Sequence, residues 1–475
     1  MIRRVLLVLL AGAATAGAQL APVDSASRWV DSIFAPYASA RVPGCAVGVT
    51  RNGALELAKG YGVADLGTGA PITPSTPFYI ASLSKQFTAM SIVLLAQEGK
   101  LSLDDSLRRW VPEVPSFGAT ITLRELLHHT SGLRDYFTLL AVSGWPADGP
   151  LTERQFLDLM HRQKSLNFQP GDEFLYSNSG YVLLAIVVER ASGESLRAFA
   201  ARHIFAPLGM THTEFRDDHR EVIPGAAVGY QPAGGAFRVS QPEFDVVGDG
   251  GAYSTVEDLA KWNDNFRTGV VGGAAAVAAM QTRGRLNDGQ TIPYALALSV
   301  GRHAGLTTYS HAGAYAGYRS AMLRIPEAGL SVITLCNTAS APATLAEQVA
   351  DVFLGTAEAA PAVALPELAA GSWLAGTAQT AESPTPRQRA DRLADLGGAY
   401  YSEELDLHVT LAGRDGVLVL RRPHASEIRF VPLGDDLFTS SDKMLLRVLR
   451  DDRADVTGFT LTINRVRDLE FTKSH

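Results

Sequence analysis

Apolar positions recur along this chain at three spacings, and each predicts a different element. Over residues 24–39, Trp29, Ile33, Phe34 and Tyr37 share one side of a helical wheel and polar residues take the other, so a surface helix is expected there. Over 86–98 and again over 181–191 the residues are apolar nearly all round, with Phe87, Met90, Ile92, Val93, Leu94 and Leu95 in the first run. A helix without a polar face belongs in a core, and Gly99 and Gly193 supply the stops. The third pattern is the short strand-like run. Residues 45–50 and 54–61 flank Arg51-Asn52-Gly53, a hairpin turn signal. Further strands are expected at 309–314, 317–325 and 330–336, with a last helix near 343–354. Thr122 can cap a helix that Gly132 stops, and Ser254 or Thr255 a helix through Asp258, Leu259 and Trp262.

After residue 355 the pattern changes. Alanine and proline dominate residues 356–390 (Pro361, Pro366, Pro384, Pro386), which reads as a linker with an apolar patch at Trp373-Leu374. From 391 to 475 short strands alternate with turn signals at Asp415-Gly416 and Asp435-Asp436. Candidate strands are 400–411, 417–421, 428–433, 445–449, 459–463 and 469–472. A small antiparallel barrel is the closure that leaves no open edge.

The first 18 residues have the form of a secretory signal peptide: Arg3 and Arg4, an apolar run over 5–14, and the small residues Ala16-Gly17-Ala18. The expectation is export to the periplasm or medium, with residues 19–355 as the main domain. That apolar run is too short for a membrane span, and no other stretch offers a transmembrane helix. A net charge of −7 on 475 residues gives no reason to expect a nucleic-acid partner. Cys45 and Cys336 both sit in apolar strand-like runs. Export permits a disulfide, yet two buried free thiols are the favoured reading. No cluster of metal ligands with short gaps occurs, so neither metal nor cofactor is expected. His128 and His129 are adjacent and point in different directions, which suits helix-end hydrogen bonding. Gly248-Asp249-Gly250-Gly251 reads as a tight loop rather than a phosphate cradle.

Three polar motifs sit where apolar elements meet loops: Ser82-x-x-Lys85, Tyr176-x-Asn178 and His311-x-Gly313. A serine hydroxyl is a weak nucleophile until a neighbour takes its proton, and a lysine can take it only when uncharged, a form that burial favours. Three residues apart on a helix, Lys85 can reach Ser82. Taken singly, each residue has a plainer reading: Ser82 and Asn178 as helix caps, Lys85 on the surface, Tyr176 in a core, His311 as a satisfied strand histidine. Their joint occurrence in this order raises all of them. With the flanking Leu-Leu-His-His-Thr-Ser-Gly-Leu and Gly-Gly-Ala-Tyr-Ser-Thr runs, the chain resembles the serine β-lactamase and penicillin-recognising hydrolase superfamily over roughly residues 24–355. The likeness is greatest to the class C branch, with its D-alanyl-D-alanine carboxypeptidases, D-aminopeptidases and esterases.

The resemblance implies an α+β fold: an antiparallel sheet flanked by helices, plus a helical subdomain, with the C-terminal part similar to the lipocalin-like barrels that some relatives carry. It implies Ser82 as the acylated nucleophile, Lys85 as its base, Tyr176 as a second base or proton shuttle, and Asn178 as the residue orienting Lys85. His311 would stand where relatives have the lysine of Lys-Thr-Gly. Gly313 would admit substrate backbone, and the N–H groups of Ser82 and Ala314 would form an oxyanion hole. There is no Lys-Thr-Gly and no Ser-Asp-Asn. A histidine is mostly neutral at pH 7 when its pKa is near the reference of about 6.5, so the cation that anchors a β-lactam carboxylate is missing, and Arg319 is the candidate substitute. The expected activity is acyl-enzyme hydrolysis of small-molecule esters or D-amino-acid peptides. The alternatives are a penicillin-binding sensor, a true class C β-lactamase and a non-enzymatic cell-wall protein.

Overall fold

The computed structural model describes residues 23–146, 149–357, 393–423 and 425–474. The expected leader 1–18 and nearly all of the expected linker, including Trp373-Leu374, lie outside the described residues. The first strands form as expected: Cys45–Arg51 and Ala54–Tyr61 pair around a turn in which Asn52 (φ 50°) and Gly53 (φ 88°) both adopt the left-handed conformation that a two-residue hairpin demands. They form one side of a six-stranded antiparallel sheet. Leu330–Cys336 lies beside Cys45–Arg51, followed outward by Tyr318–Ile325, Leu306–Tyr315 and Ser299–His303.

Both faces of this sheet are covered. The helices Val23–Ile33 and Pro342–Leu354 close one face over Val47, Val49, Val332 and Ile325. The surface helix expected over 24–39 is shorter than that, ending at Ile33, with Pro36 leaving only a 3₁₀ turn at Ala35–Tyr37. On the other face the helix Val256–Thr268, capped by Thr255, lies so close that a Cβ at Gly48 would fall 2.3 Å from Val256 Cγ1. Beyond it stands the helical subdomain, where the apolar helices Lys85–Gln97 and Asn178–Ser192 pack against each other. Every apolar side chain named above for the first of them is buried except Leu94, which is half-buried.

Two expectations need correction. Cys45 and Cys336 are not free thiols. They face each other directly across neighbouring strands, with Cα atoms 4.0 Å apart, and form a disulfide. The pairing follows from strand order, which brings the sheet's last strand next to its first. In the C-terminal domain the run 400–411 is not one strand but two, Gly398–Ser402 and Leu407–Arg414, separated by a turn at Glu403–Asp406. With Leu437–Ser440, which was not foreseen, the domain is a closed eight-stranded antiparallel barrel, sealed where Tyr400 and Tyr401 pair with Lys473 and Thr472. Its core holds Tyr400, Phe430, Leu446, Phe459, Leu461 and Phe471. Among the described residues no helix is long and apolar enough to cross a membrane.

Candidate active site

Ser82 sits in a 3₁₀ turn, Ala81–Ser84, that runs directly into the helix starting at Lys85. In a 3₁₀ turn residues three apart eclipse one another, so Lys85 lies directly over Ser82. Its Nζ is 3.1 Å from Ser82 Oγ. The preceding residue, Ala81, is held at φ 49°, a conformation that side chains other than glycine rarely adopt and that concentrates at functional sites. Lys85 is fully buried. Its other two hydrogen bonds go to Asn178 Oδ1 (2.8 Å) and to the backbone carbonyl of Asp249 (2.6 Å). None of the three acceptors carries a charge.

Asn178 opens the buried helix Asn178–Ser192, and Asp135 holds it there. The Asn178 backbone N–H and Nδ2 both donate to Asp135 Oδ2, at 2.7 and 2.9 Å. Through Oδ1 Asp135 also caps the helix Tyr136–Ser143, accepting from the Thr138 N–H. The Asp249 carboxylate accepts from the Tyr136 hydroxyl at 3.0 Å. Complete burial pushes its carboxyl up to about 6, with the Lys85 charge opposing.

Tyr176 lies between these groups and the edge of the large sheet. Lys85 Nζ is 5.0 Å from its ring centroid, and the His129 ring packs on it at 4.1 Å. Its hydroxyl is buried and has no hydrogen-bond partner among the described residues. His311, on Leu306–Tyr315, places its ring 6.1 Å from that of Tyr176. Burial, and after it the charge on Lys85, lowers the His311 imidazole to about 3. Its Nε2 meets the Tyr294 hydroxyl at 3.0 Å and its Nδ1 the Ala312 carbonyl at 2.8 Å.

Gly313 is where the strand touches the serine segment. A Cβ there would fall 2.4 Å from both the Ile80 carbonyl oxygen and Ser320 Oγ, so only glycine lets the two approach. Ser320 Oγ donates to that same carbonyl at 2.7 Å. The outer strand Ser299–His303 pairs no further than Ser310, so the sheet edge from His311 to Tyr315, with Gly313 and Ala314, carries no further strand. Arg319 is turned away: successive strand residues alternate faces, Ser320 points at the serine segment, and the Arg319 guanidinium donates to the Ala316 and Tyr318 carbonyls.

The six motif residues are thus gathered, and others that were not foreseen join them. His128 does make the expected helix-end bond, its Nδ1 meeting the Arg124 carbonyl at 3.0 Å. His129 does not. The helix already ends at Leu127, His129 takes φ 59°, and its ring enters the site. Asp135 had a legible cue, an N-cap residue ahead of an apolar run. Asp249, Tyr294 and Arg465 had none. Arg465 comes from the barrel, on the turn between its last two strands, and its guanidinium lies 4.7 Å from the Tyr176 ring centroid and 3.8 Å from Asp135 Oδ2. Elsewhere, Asp218, His219 and Asp245 bring three ligand atoms within 4.8 Å of one another. These atoms are already engaged, His219 with Asp245 at 2.8 Å and Asp218 with Arg220.

Residues 30–354 match the family described as Beta-lactamase, well over half of the chain. The chain belongs to the beta-lactamase family. It is 33% identical over 294 residues to penicillin-binding protein 4* of Bacillus subtilis, covering 58% of this chain and 64% of that protein. To a D-aminopeptidase of Brucella anthropi it is 30% identical over 340 residues, 70% of this chain and 63% of the relative. The chain therefore spans about three fifths of the length of these curated relatives. An octameric penicillin-binding protein homologue from Pyrococcus abyssi superposes with a TM-score of 0.62 at 25% identity, covering 95% of this chain and 100% of that one. This beta-lactamase-family chain thus shares a fold with that homologue over the barrel as well as over the serine domain.

Proposed function

We propose that this protein is an exported serine hydrolase that forms an acyl-enzyme on Ser82 and cleaves esters or D-amino-acid amides and peptides. The observation that carries the reading is the Lys85 environment: a fully buried amine, 3.1 Å from a serine hydroxyl, with only uncharged oxygens as partners. No carboxylate is hydrogen-bonded to the amine. Uncharged Lys85 takes the Ser82 proton as Oγ bonds to the substrate carbonyl carbon, and the N–H groups of Ser82 and Ala314 receive the oxyanion. The unpartnered Tyr176 hydroxyl passes its proton to the leaving nitrogen or oxygen and recovers one from Lys85. Water then attacks the ester carbon by the same route in reverse, freeing Ser82.

The strand wall argues for the substrate. His311 is neutral and Arg319 faces elsewhere, so that wall offers no cation to a β-lactam carboxylate. Uncharged acyl groups suit that strand better, while the Arg465 guanidinium beside Tyr176 comes from the barrel and lies 3.8 Å from Asp135 Oδ2. The relatives described as D-aminopeptidases support the amide half of the proposal, and the Arg3-Arg4 leader pattern supports export. Turnover of a neutral p-nitrophenyl ester and of nitrocefin, by the wild type and Ser82→Ala, tests the reading together with intact mass after each substrate and after a penicillin. Faster ester turnover, abolished in Ser82→Ala, is expected. Turnover unchanged in Ser82→Ala would overturn it. A lasting penicillin adduct on Ser82 without any ester turnover would instead favour a penicillin-binding sensor, a reading that penicillin-binding protein 4* among the relatives keeps in view.

A further inference from the structure

Behind Tyr176 runs a chain of hydrogen bonds that crosses the whole site. It starts at the Ala312 carbonyl, passes through His311 (2.8 Å to Nδ1, 3.0 Å from Nε2 to the Tyr294 hydroxyl), continues from that hydroxyl to His129 Nε2 (3.3 Å), and ends at the Ser177 backbone N–H, 3.1 Å from His129 Nδ1. All three side chains are buried. The direction of every bond follows from the two ends. A carbonyl can only accept, so His311 carries its proton on Nδ1 and its Nε2 is an acceptor. Tyr294 then donates to it rather than to the neighbouring Tyr181 hydroxyl, whose own proton goes to the Leu127 carbonyl at 2.8 Å, leaving the phenol oxygen to accept from His129 Nε2–H. His129 Nδ1 is therefore bare, as the Ser177 N–H requires. Started from the Ser177 end, the same assignment results. Burial, which disfavours the charged form of both imidazoles, agrees with it.

We propose that Tyr294 and His129 are positioning residues: they lock His311 in its Nδ1–H form with Nε2 occupied, and they tie the strand bearing Gly313 and Ala314 to the segment bearing Tyr176 and Asn178. His311 then has no ring nitrogen left for substrate. It acts neither as a proton donor nor as a stand-in for a lysine, and the strand wall works through its backbone N–H groups and its shape. The brace also fixes Tyr176, because the His129 ring packs on it at 4.1 Å while Ser177, its neighbour in sequence, is bonded to the same ring.

The kinetic arm of the test rests on the hydrolase reading; the spectroscopic arm does not. Histidine ¹⁵N–¹H correlation spectra of the full chain at pH 7, assigned by signal loss in His129→Asn and His311→Asn, report each tautomer directly. The expected result is two neutral rings of opposite type, Nδ1–H for His311 and Nε2–H for His129. Tyr294→Phe keeps the ring packing and removes the bridging hydroxyl, so both signals shift and kcat for the ester falls about tenfold with KM within about twofold. His129→Asn is the second variant: its side-chain oxygen can still accept from Ser177 while the bond to Tyr294 is lost, and a similar fall is expected. An Nε2–H or charged His311 in the wild type would overturn the proposal, as would wild-type kcat in a folded Tyr294→Phe. Loss of the hydrolase reading through unchanged turnover in Ser82→Ala would leave the tautomer assignment standing.

Discussion

Lys85 and Arg134 are the two most deeply buried cations among the described residues, at 0% and 1% exposure, and they are housed in opposite ways. Arg134 meets an anion. Its Nη1 pairs with the Glu404 carboxylate from the barrel, its Nη2 donates to Ser165 Oγ (2.9 Å) and to the carbonyls of Arg467 (2.8 Å) and Asp468 (3.1 Å), and its Nε donates again to Arg467 at 3.1 Å. Lys85 meets three neutral oxygens. The first arrangement holds a charge permanently and fastens the barrel to the serine domain. The second satisfies an ammonium's three donors with uncharged oxygens, and no carboxylate is hydrogen-bonded to it. Adjacent residues link the two: Arg134 bolts the barrel, and Asp135 holds the Asn178 that orients Lys85. Burial alone therefore does not distinguish the two cations; the charge of their hydrogen-bond partners does.

Exchanging the side chains separates these roles. In Lys85→Met ester turnover is expected to fall about 10²–10⁴-fold, the usual worth of a positioned base, while the loss of stability is expected to be smaller than in Arg134→Met, because the acceptors left behind are uncharged oxygens. Arg134→Met should do the reverse. Urea unfolding is expected to show a loss of about 3–5 kcal/mol, because Glu404 is left buried without its cation, with kcat of the folded protein little changed. A Lys85→Met variant that unfolds, or an Arg134→Met variant that keeps its stability, would break the contrast. Glu404→Gln is milder: the hydrogen-bond geometry survives without the anion, and about 1–3 kcal/mol is expected to be lost.

The last effect, read only as a slope with pH, concerns Asp249, which gives Lys85 its carbonyl rather than its carboxylate. Its folded carboxyl titrates near 6 against an ordinary 3.8, so the folded state binds the proton more tightly than the unfolded chain. Stability from this group is therefore greatest below pH 4, falls as pH rises towards about 6, and is flat above. Asp249→Asn should remove that slope from the difference between paired urea titrations at pH 4 to 7. An unchanged slope would place the carboxylate in water.

Much of this was legible in the chain because it is local. Ser82 and Lys85 are three residues apart, so one turn of backbone brings them together. The buried helices after Lys85 and Asn178 announce themselves by lacking a polar face. What escaped is set by tertiary approach. Cys45 and Cys336 are 291 residues apart and meet only because of strand order. The outer strand Ser299–His303 is short and largely polar, which suits an edge but resembles a loop. The turn at Glu403–Asp406 lacks glycine and proline, so 400–411 read as continuous. Tyr294 and Arg465 arrive from a loop and from another domain, and no spacing relates them to the serine.

The central claim is that Lys85 takes the Ser82 proton. Its most direct measurement is the rate at which a p-nitrophenyl ester acylates wild type and Lys85→Met, followed by rapid quench, intact mass and peptide mapping. A single acyl group on Ser82 is expected in the wild type, with acylation at least about 10²-fold slower in folded Lys85→Met. Equal rates in the two proteins, or an acyl group mapped to any other residue, would contradict it.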